Sequence, residues 1–499
     1  MKGKKIPDRW LLIPIILIFL NFIYRLIDES KLIRYFPFDY TNDVSSYMAQ
    51  LHFLKVCGFH NLCPYWYNSF ISFKFSPPGW YFLTLPLYRI FGDVKIATYI
   101  SIVMSFLAAF LLIYFLYKKL NFSKTKRIAF FFFMFGNAIA IGNFIRLGRA
   151  HELLSWVLFL VFAFFILYYK DKKINYNFFW IIPFYTYMIL TYQSTAVLSS
   201  FFILGLFLSK PKIKEKITIS LSVIFSFIIT SFWWFPFIKD ISESSIPSLN
   251  QNIWLWLFNS ENLLTNLASI IIPLTLITSF YFYWKEKKSK SELLLFLPIL
   301  LLSIFLLFRI TTIIPILKNI FPDPYLIFLL FFIIYFSLNI NIEKFNKLLK
   351  ISGFLVLIII SVISISLNVF HTPKFMIPGE FEENMIDLLP YVEGRFITLG
   401  NNFPSTFSTK ALDSYSPIYN NLSSAYGWYP ELKSDDYFDI IRALQKSFEA
   451  NDCKSIKGNL SQLNISTAIS YLDGCNSLKD CGLNKIKEKS YICLFKVIK

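Results

Sequence analysis

Long apolar runs, each about the length of a membrane-crossing helix, recur through the first 370 residues, and short lysine-rich stretches separate them. A helix crosses the hydrocarbon core of a bilayer with about 20 apolar residues. The runs are rich in Phe, which occurs 58 times in 499 residues. Only 16% of the chain is charged, against roughly 25% in soluble domains. Beyond residue 370 ordinary globular composition returns. The pattern predicts an all-α polytopic membrane domain over 1–370 and a small soluble α/β domain over 371–499.

The net charge of +18 would suit a nucleic-acid partner if it were gathered on one surface. Instead it is divided among the gaps between apolar runs: Lys2, Lys4, Lys5 and Arg9; Lys118, Lys119, Lys124, Lys126 and Arg127; Lys170, Lys172 and Lys173; Lys210, Lys212, Lys214 and Lys216; Lys285, Lys287, Lys288 and Lys290; Lys344, Lys347 and Lys350. Short Lys/Arg-rich loops stay on the cytoplasmic side because positive residues resist translocation. The charge is topological, the partner is a lipid bilayer, and nucleic acid is excluded.

Alternating those clusters predicts eleven spans, with a cytoplasmic N-terminus and an extracytoplasmic tail, as in a multi-pass plasma-membrane protein. The first span, from about Trp10, follows a basic segment without a small-residue cleavage site and reads as a retained signal-anchor. Two spans share residues 174–209, close to the lower length limit. All six cysteines fall on the outside in this topology: Cys57 and Cys63 in the first long loop, Cys453, Cys475, Cys481 and Cys493 in the tail. An even number confined to the oxidising side predicts disulfides: Cys57 with Cys63, and two among the tail four with connectivity left open. The Cys475-x5-Cys481 spacing is wrong for zinc. In the tail, strands are expected at 395–399, 466–472 and 491–497, and helices near 380–389 and 437–449.

Chemistry is expected first in the outside loop 28–93, which is far longer than a connection requires. Its segment Phe36-Pro-Phe-Asp39-Tyr-Thr-Asn-Asp43 precedes apolar positions Val44, Tyr47, Met48, Leu51 and Leu54 at helical spacing. This predicts an amphipathic helix on the outer membrane surface, stopping near Gly58, with Asp39 and Asp43 at its start. Asp43 could be a helix cap and Asp39 a turn residue, or either could be a general base. The segment itself leaves both readings open. Further on, Pro77-Pro-Gly-Trp-Tyr runs to Phe91-Gly-Asp93 and reads as interfacial.

A second polar site is the outside turn Arg146-Leu-Gly-Arg149-Ala-His151-Glu152. Arginines are depleted on this side, so a pair of them calls for a reason. An Arg149–Glu152 pair on the next helix is one; phosphate binding by the forked guanidinium is the other. Arg309, Lys318 and Asp323 in a later outside loop could contribute.

In this order, a first span, an Asp-x3-Asp loop with a following helix, a Pro-Pro-Gly-Trp-Tyr element ending in Phe-Gly-Asp, and a Gly-Arg-x-x-Glu turn, the chain resembles the GT-C superfamily of membrane glycosyltransferases. Within it the likeness is nearest to archaeal and bacterial membrane proteins labelled 6-pyruvoyl-tetrahydropterin synthase-related. The resemblance implies transfer of a sugar from a polyprenyl-phosphate donor, dolichyl phosphate in archaea, to a glycan, lipid or protein acceptor on the outer face. It implies a loop-one aspartate as base, Asp43 or Asp39, and a donor-phosphate site at Arg146, Arg149, His151 and Glu152. The chain departs from its relatives in two places. Tyr192-Gln193 stands where a histidine is often found, and the Phe321-Pro-Asp-Pro-Tyr325 segment lacks an arginine common there.

No resident cofactor or metal ligand set is evident from the sequence. An oligosaccharyltransferase, the enzyme alternative, would use a divalent metal held by carboxylates such as Asp39, Asp43, Asp93 and Glu152. A transporter predicts ionisable residues within spans and internal symmetry; the spans are nearly free of charge and no repeat is visible. A non-enzymatic scaffold is the remaining alternative.

Overall fold

The computed structural model describes residues 11–39, 42–243, 263–340, 347–400, 403–404 and 406–497, without side chains at 237, 239–243, 347–352 and 431. Lys2, Lys4, Lys5 and Arg9, the start of the first expected span at Trp10, and Lys344 lie outside the described residues. The chain divides into two compact units. One comprises Met1–Asp28, Ser101–Trp233 and Pro247–Lys374; the other comprises Glu29–Ile100, Trp234–Ile246 and Phe375–Lys499. This is not a single cut near residue 370. The first outside loop and the tail belong to one unit.

The first unit is helical. Among the described residues, seven helices are long and apolar enough to cross a bilayer: Val94–Leu120, Ala150–Tyr169, Ile213–Pro236, Leu263–Lys287, Lys290–Leu307, Pro322–Asn339 and Gly353–Phe370. Lys124–Phe135 and Ala138–Arg146, bent by 52°, make up to eight if counted as one span. The expected count of eleven is not reached. Leu12–Glu29 carries Arg25, Asp28 and Glu29 in its last turns. The segment expected to hold two spans forms helices of only 11 and 17 residues, Ile181–Thr191 and Gln193–Ser209, broken at the extended Tyr192. At 1.5 Å per residue the shorter covers roughly 17 Å, about half the hydrocarbon thickness.

Aromatic packing fills this unit. The Phe296 ring meets those of Phe202, Phe280, Phe332 and Phe336, at 4.8 Å for the last. Gly205 lets Gln193–Ser209 approach Lys290–Leu307 so closely that a Cβ there would lie 1.8 Å from the Leu295 carbonyl oxygen. Small residues at helix contacts permit this approach. Hydroxyls within the spans are satisfied locally: Ser222, Ser226 and Thr230 each donate to the carbonyl four residues back. The helix Gly353–Phe370 leaves Leu355, Ile359, Ile360 and Ile363 exposed, an apolar face suited to lipid.

The second unit is built around a five-stranded mixed sheet, order β4-β3-β5-β7-β6; β1 Leu62–Cys63 and β2 Phe70–Ile71 form a separate hairpin. The strands are β3 Arg395–Leu399, β4 Ser423–Ser424, β5 Thr467–Tyr471, β6 Asn484–Lys489 and β7 Ile492–Lys496. β3 pairs in parallel with β4 and β5, whereas β7 is antiparallel to β5 and β6. Helices Glu380–Leu388 and Asp435–Glu449 form where expected. Disulfides join Cys57 to Cys63, Cys453 to Cys481 and Cys475 to Cys493.

Loop and tail share one core. Phe53, Trp66, Tyr67 and Phe70 pack with Ile397, Leu399, Ala425, Tyr437, Leu444 and Phe495. Backbone bonds join the same segments: Ser408 N to Phe38 O at 2.8 Å and Ser424 N to Tyr65 O at 2.7 Å. The Trp66 indole donates to the Asp413 carbonyl at 2.9 Å.

Candidate functional site

The helix expected after Asp43 runs Val44–Val56, ending just before Gly58. It is not an amphipathic surface helix. Every residue from Val44 to Leu51 is buried, including Ser45, Ser46 and Gln50. The tail helix Thr409–Asn420 and the helix Gly79–Phe91 pack against it, so both its faces are used. The interfacial character falls instead on Gly79–Phe91. That helix buries Trp80, Tyr81, Thr84 and Tyr88 and exposes Phe82, Leu83, Ile90 and Phe91. Gly92, at φ 71°, ends it by donating its amide to Tyr88 O.

At the start of Val44–Val56, capping falls to Asn42, whose side-chain oxygen accepts the Val44 amide at 3.0 Å. Asp43 occupies the cap position, but its side chain makes no cap hydrogen bond. Its carbonyl accepts Ser46 Oγ–H at 2.8 Å, and the same hydroxyl lies 3.1 Å from Tyr429 OH. Asp39 is 3% exposed, and its backbone bridges to Phe407. The segment therefore rests on tail residues on both sides of the two aspartates. That locks the backbone direction from which the carboxylates project.

Burial disturbs titratable groups of this unit, His52 and Asp413 among them. His52, whose Nδ1 lies 3.1 Å from Tyr88 OH, is lowered to about 4, mainly by burial and then by the Lys55 charge. Asp413 is fully buried and raised to about 7 by desolvation, although Ser424 Oγ–H donates to Oδ1 at 2.5 Å and Lys410 is near. Asp93 opens the following helix by accepting the Lys95 amide at 2.7 Å, and pairs with the Lys95 ammonium at 3.8 Å.

The arginine turn lies in the helical unit. Ala138–Ala140 widens into a π-helical turn, Ile141–Arg146, which closes on Leu147 N donating to Gly142 O at 2.9 Å. Such turns are frequent at functional sites. Arg146 ends it, 2% exposed. Gly148, at φ 64°, then turns the chain, and Arg149 precedes Ala150–Tyr169. The Arg149 guanidinium reaches Glu152 at 3.9 Å, Asp323 at 3.6 Å and Asn143 Oδ1 at 3.5 Å. Glu152, fully buried, also accepts the Trp156 indole N–H at 3.3 Å. The His151 ring packs edge-on against Tyr192 at 5.1 Å.

Asp323 thus joins the arginine turn, whereas Arg309 bonds Ser269 Oγ at 2.7 Å and the Leu306 carbonyl. Sequence reasoning missed Asn42, Asn143 and Tyr429 as partners. Asn42 was legible as a cap, since Asn fills that position as well as Asp; Tyr429 is distant in sequence and left no local signal. Tyr192 is the residue whose ring meets that of His151. Among the described residues, no group of three or more His, Cys, Asp or Glu is gathered as for a metal ion.

No protein-family model matches the chain, and no curated protein matches it either. The narrower likeness to the 6-pyruvoyl-tetrahydropterin synthase-related proteins therefore finds no support. Solved structures do match. Arabinofuranosyltransferase AftD from Mycobacteria aligns over 99% of this chain at TM-score 0.58 and 12% identity; this chain spans 40% of that protein. Oligosaccharyltransferase AglB from Archaeoglobus fulgidus, in complex with an inhibitory peptide and a dolichol-phosphate, aligns over 91% of this chain and 69% of its own length, at TM-score 0.54 and 10% identity. ArnT from Cupriavidus metallidurans, bound to undecaprenyl phosphate, aligns over 99% of this chain and 98% of its own, at TM-score 0.53 and 11% identity. The chain has the fold of these glycosyltransferases, and its long apolar helices are those of a membrane protein.

Proposed function

We propose that the chain is an inverting glycosyltransferase that moves a sugar from a polyprenyl-phosphate donor to an acceptor on the outer face of the plasma membrane. The observation that carries the reading is the near end-to-end likeness to ArnT, with 99% of one chain aligned to 98% of the other. The topology that goes with it has the N-terminus in the cytoplasm and the sheet-bearing unit outside.

The chemistry follows from the substrate. A lipid-linked donor keeps its phosphate at the membrane interface, so the reacting bond is presented at the outer ends of the spans. As that bond breaks the phosphate gains charge, which fixed cations stabilise; Arg146 and Arg149 take this role, with His151 and Glu152 in the same turn. The acceptor hydroxyl needs a base within hydrogen-bond reach. Asp43 is preferred over Asp39 for it, because the helix that follows it is packed on both faces and fixes its position. Attack by the hydroxyl from the face opposite the leaving phosphate inverts the anomeric carbon. The phosphate leaves without a second, acidic carboxyl.

A mass-spectrometric assay with purified protein, candidate polyprenyl-phosphate sugars and envelope acceptors tests the proposal. One donor should lose its sugar to an acceptor, with release of polyprenyl phosphate. Lack of turnover with every pentosyl and hexosyl donor would overturn it.

A further inference from the structure

The helical unit has a second polar feature that the transfer reaction does not use. A cavity of about 630 Å³ opens among the ends of Val94–Leu116 and Ala150–Tyr169 and the segment leading into Ile181–Thr191. Its walls are apolar and aromatic, including Leu116, Phe165, Trp180 and Phe184, and its rim carries Lys119, Lys172 and Lys173. It lies at the lysine-rich ends of the spans, the side that the positive-inside rule assigns to the cytoplasm.

The three lysines differ from their neighbours. Lys170 is consumed by Glu292 and Asp171. Lys210 is fixed inward, donating to the carbonyls of Tyr169, Lys170 and Lys172 at 2.6, 3.1 and 2.7 Å. Lys119, Lys172 and Lys173 are exposed, and among the described residues none has a carboxylate at ion-pair distance. The loop bearing two of them is held in place. Besides the Lys210 clamp, Glu215 accepts the Ile174 amide at 2.9 Å, and Tyr169 OH donates to Asn175 Oδ1 at 2.9 Å. Lys172 stands 3.4 Å over the Tyr168 ring at the cavity wall.

An apolar groove open to the bilayer takes acyl chain, and a fixed rim of unneutralised ammonium groups takes phosphate. Basic pockets between transmembrane helices on this side bind anionic headgroups, and Trp and Tyr favour the same depth. We infer that this groove binds one anionic phospholipid of the cytoplasmic leaflet, its phosphate on Lys119, Lys172 and Lys173 and a chain along Leu116, Phe165 and Phe184. The inference stands apart from the transfer reaction and does not depend on it.

Native mass spectrometry of the detergent-purified full chain, titrated with phosphatidylglycerol or phosphatidylcholine of matched chains, tests it. Wild type should retain one phosphatidylglycerol at least about tenfold more tightly than phosphatidylcholine. The triple variant Lys119→Gln, Lys172→Gln, Lys173→Gln should lose that preference, by up to the order of 100-fold if each ammonium contributes fully. Leu116→Trp, which fills the groove and leaves the lysines, should also lose it. Lys285→Gln, Lys287→Gln, Lys288→Gln, an equal loss of exposed charge elsewhere, should retain it. Equal affinity for the two lipids, the same loss in the control triple, full binding by Leu116→Trp, or displacement by millimolar inorganic phosphate alone would each overturn the inference.

Discussion

Two polar clusters, one in each unit, stand at helix N-termini and are arranged in opposite ways. At Val44–Val56 the capping work is done by Asn42, and the Asp43 side chain makes no cap bond. At Ala150–Tyr169 the Arg149 guanidinium is shared between Glu152 and Asp323. Asn42 accepts the Val44 amide at the first helix, whereas the guanidinium at the second is held by two carboxylates. Substitution at Asp43 should therefore cost activity without stability, and substitution at Arg149 should affect both.

The largest expected effect is Asp43→Asn. Asn retains shape and capping ability, so folding should match wild type while transfer falls by roughly 100-fold or more, the scale of acid–base groups. Asp39→Asn in the same turnover assay separates the two aspartates. If both variants transfer at the wild-type rate, the loop-one base is wrong.

The units also differ in how they are held. All three disulfides lie in the sheet-bearing unit, while the described helical unit is packed by aromatic rings. Removing Cys453 and Cys481 together, which opens a 28-residue separation, should destabilise the sheet-bearing unit by about 3 kcal/mol. Proteolysis should then cut within 375–499 and leave the long apolar helices intact. Loss of both units at the same denaturant concentration would show that they unfold as one.

Arg149→Lys comes next. A single ammonium cannot reproduce a planar fork, and one charged hydrogen bond is worth about 1.5–3 kcal/mol. Donor KM should rise by roughly tenfold, with some loss of thermal stability as Glu152 and Asp323 lose their shared partner. An unchanged KM would leave Arg149 a structural residue and remove the difference drawn between the clusters.

The last effect concerns pH. Asp413 sits at about 7 in the folded chain, against roughly 3.9 unfolded. Between those values the unfolded chain gives up a proton that the folded chain keeps, so this group lowers stability as pH rises from about 4 to 7, and no further above. Asp413→Asn removes the contribution. Its stability relative to wild type should climb by up to about 1.4 kcal/mol per pH unit across that window, then level off. Urea midpoints at pH 5, 6, 7 and 8 check the sign; a flat difference would mean Asp413 is ionised throughout. His52, lowered to about 4, acts oppositely on both proteins and cancels in the difference.

What was legible in the sequence was what depends on neighbours along the chain. Apolar run length marked the helices Ala150–Tyr169 and Pro322–Asn339, strand-like alternation marked Arg395–Leu399, and the Asp43–Gly58 punctuation marked both ends of Val44–Val56. The confinement of cysteines to two segments announced the disulfides but not which tail cysteines pair. Segments with weak periodicity, such as β4 and the helix Thr409–Asn420, were not visible because their burial comes from distant residues. Tertiary structure alone decided that Val44–Val56 is sandwiched instead of lying on a membrane, that Tyr192, at the break between two short helices, meets His151, and that Asp323 joins Arg149 across more than 170 residues of chain. The physical reason is the same each time: a local pattern states that a face is apolar or a carboxylate is present, whereas which surface covers that face, and which charge answers that carboxylate, is set by packing between segments far apart in sequence.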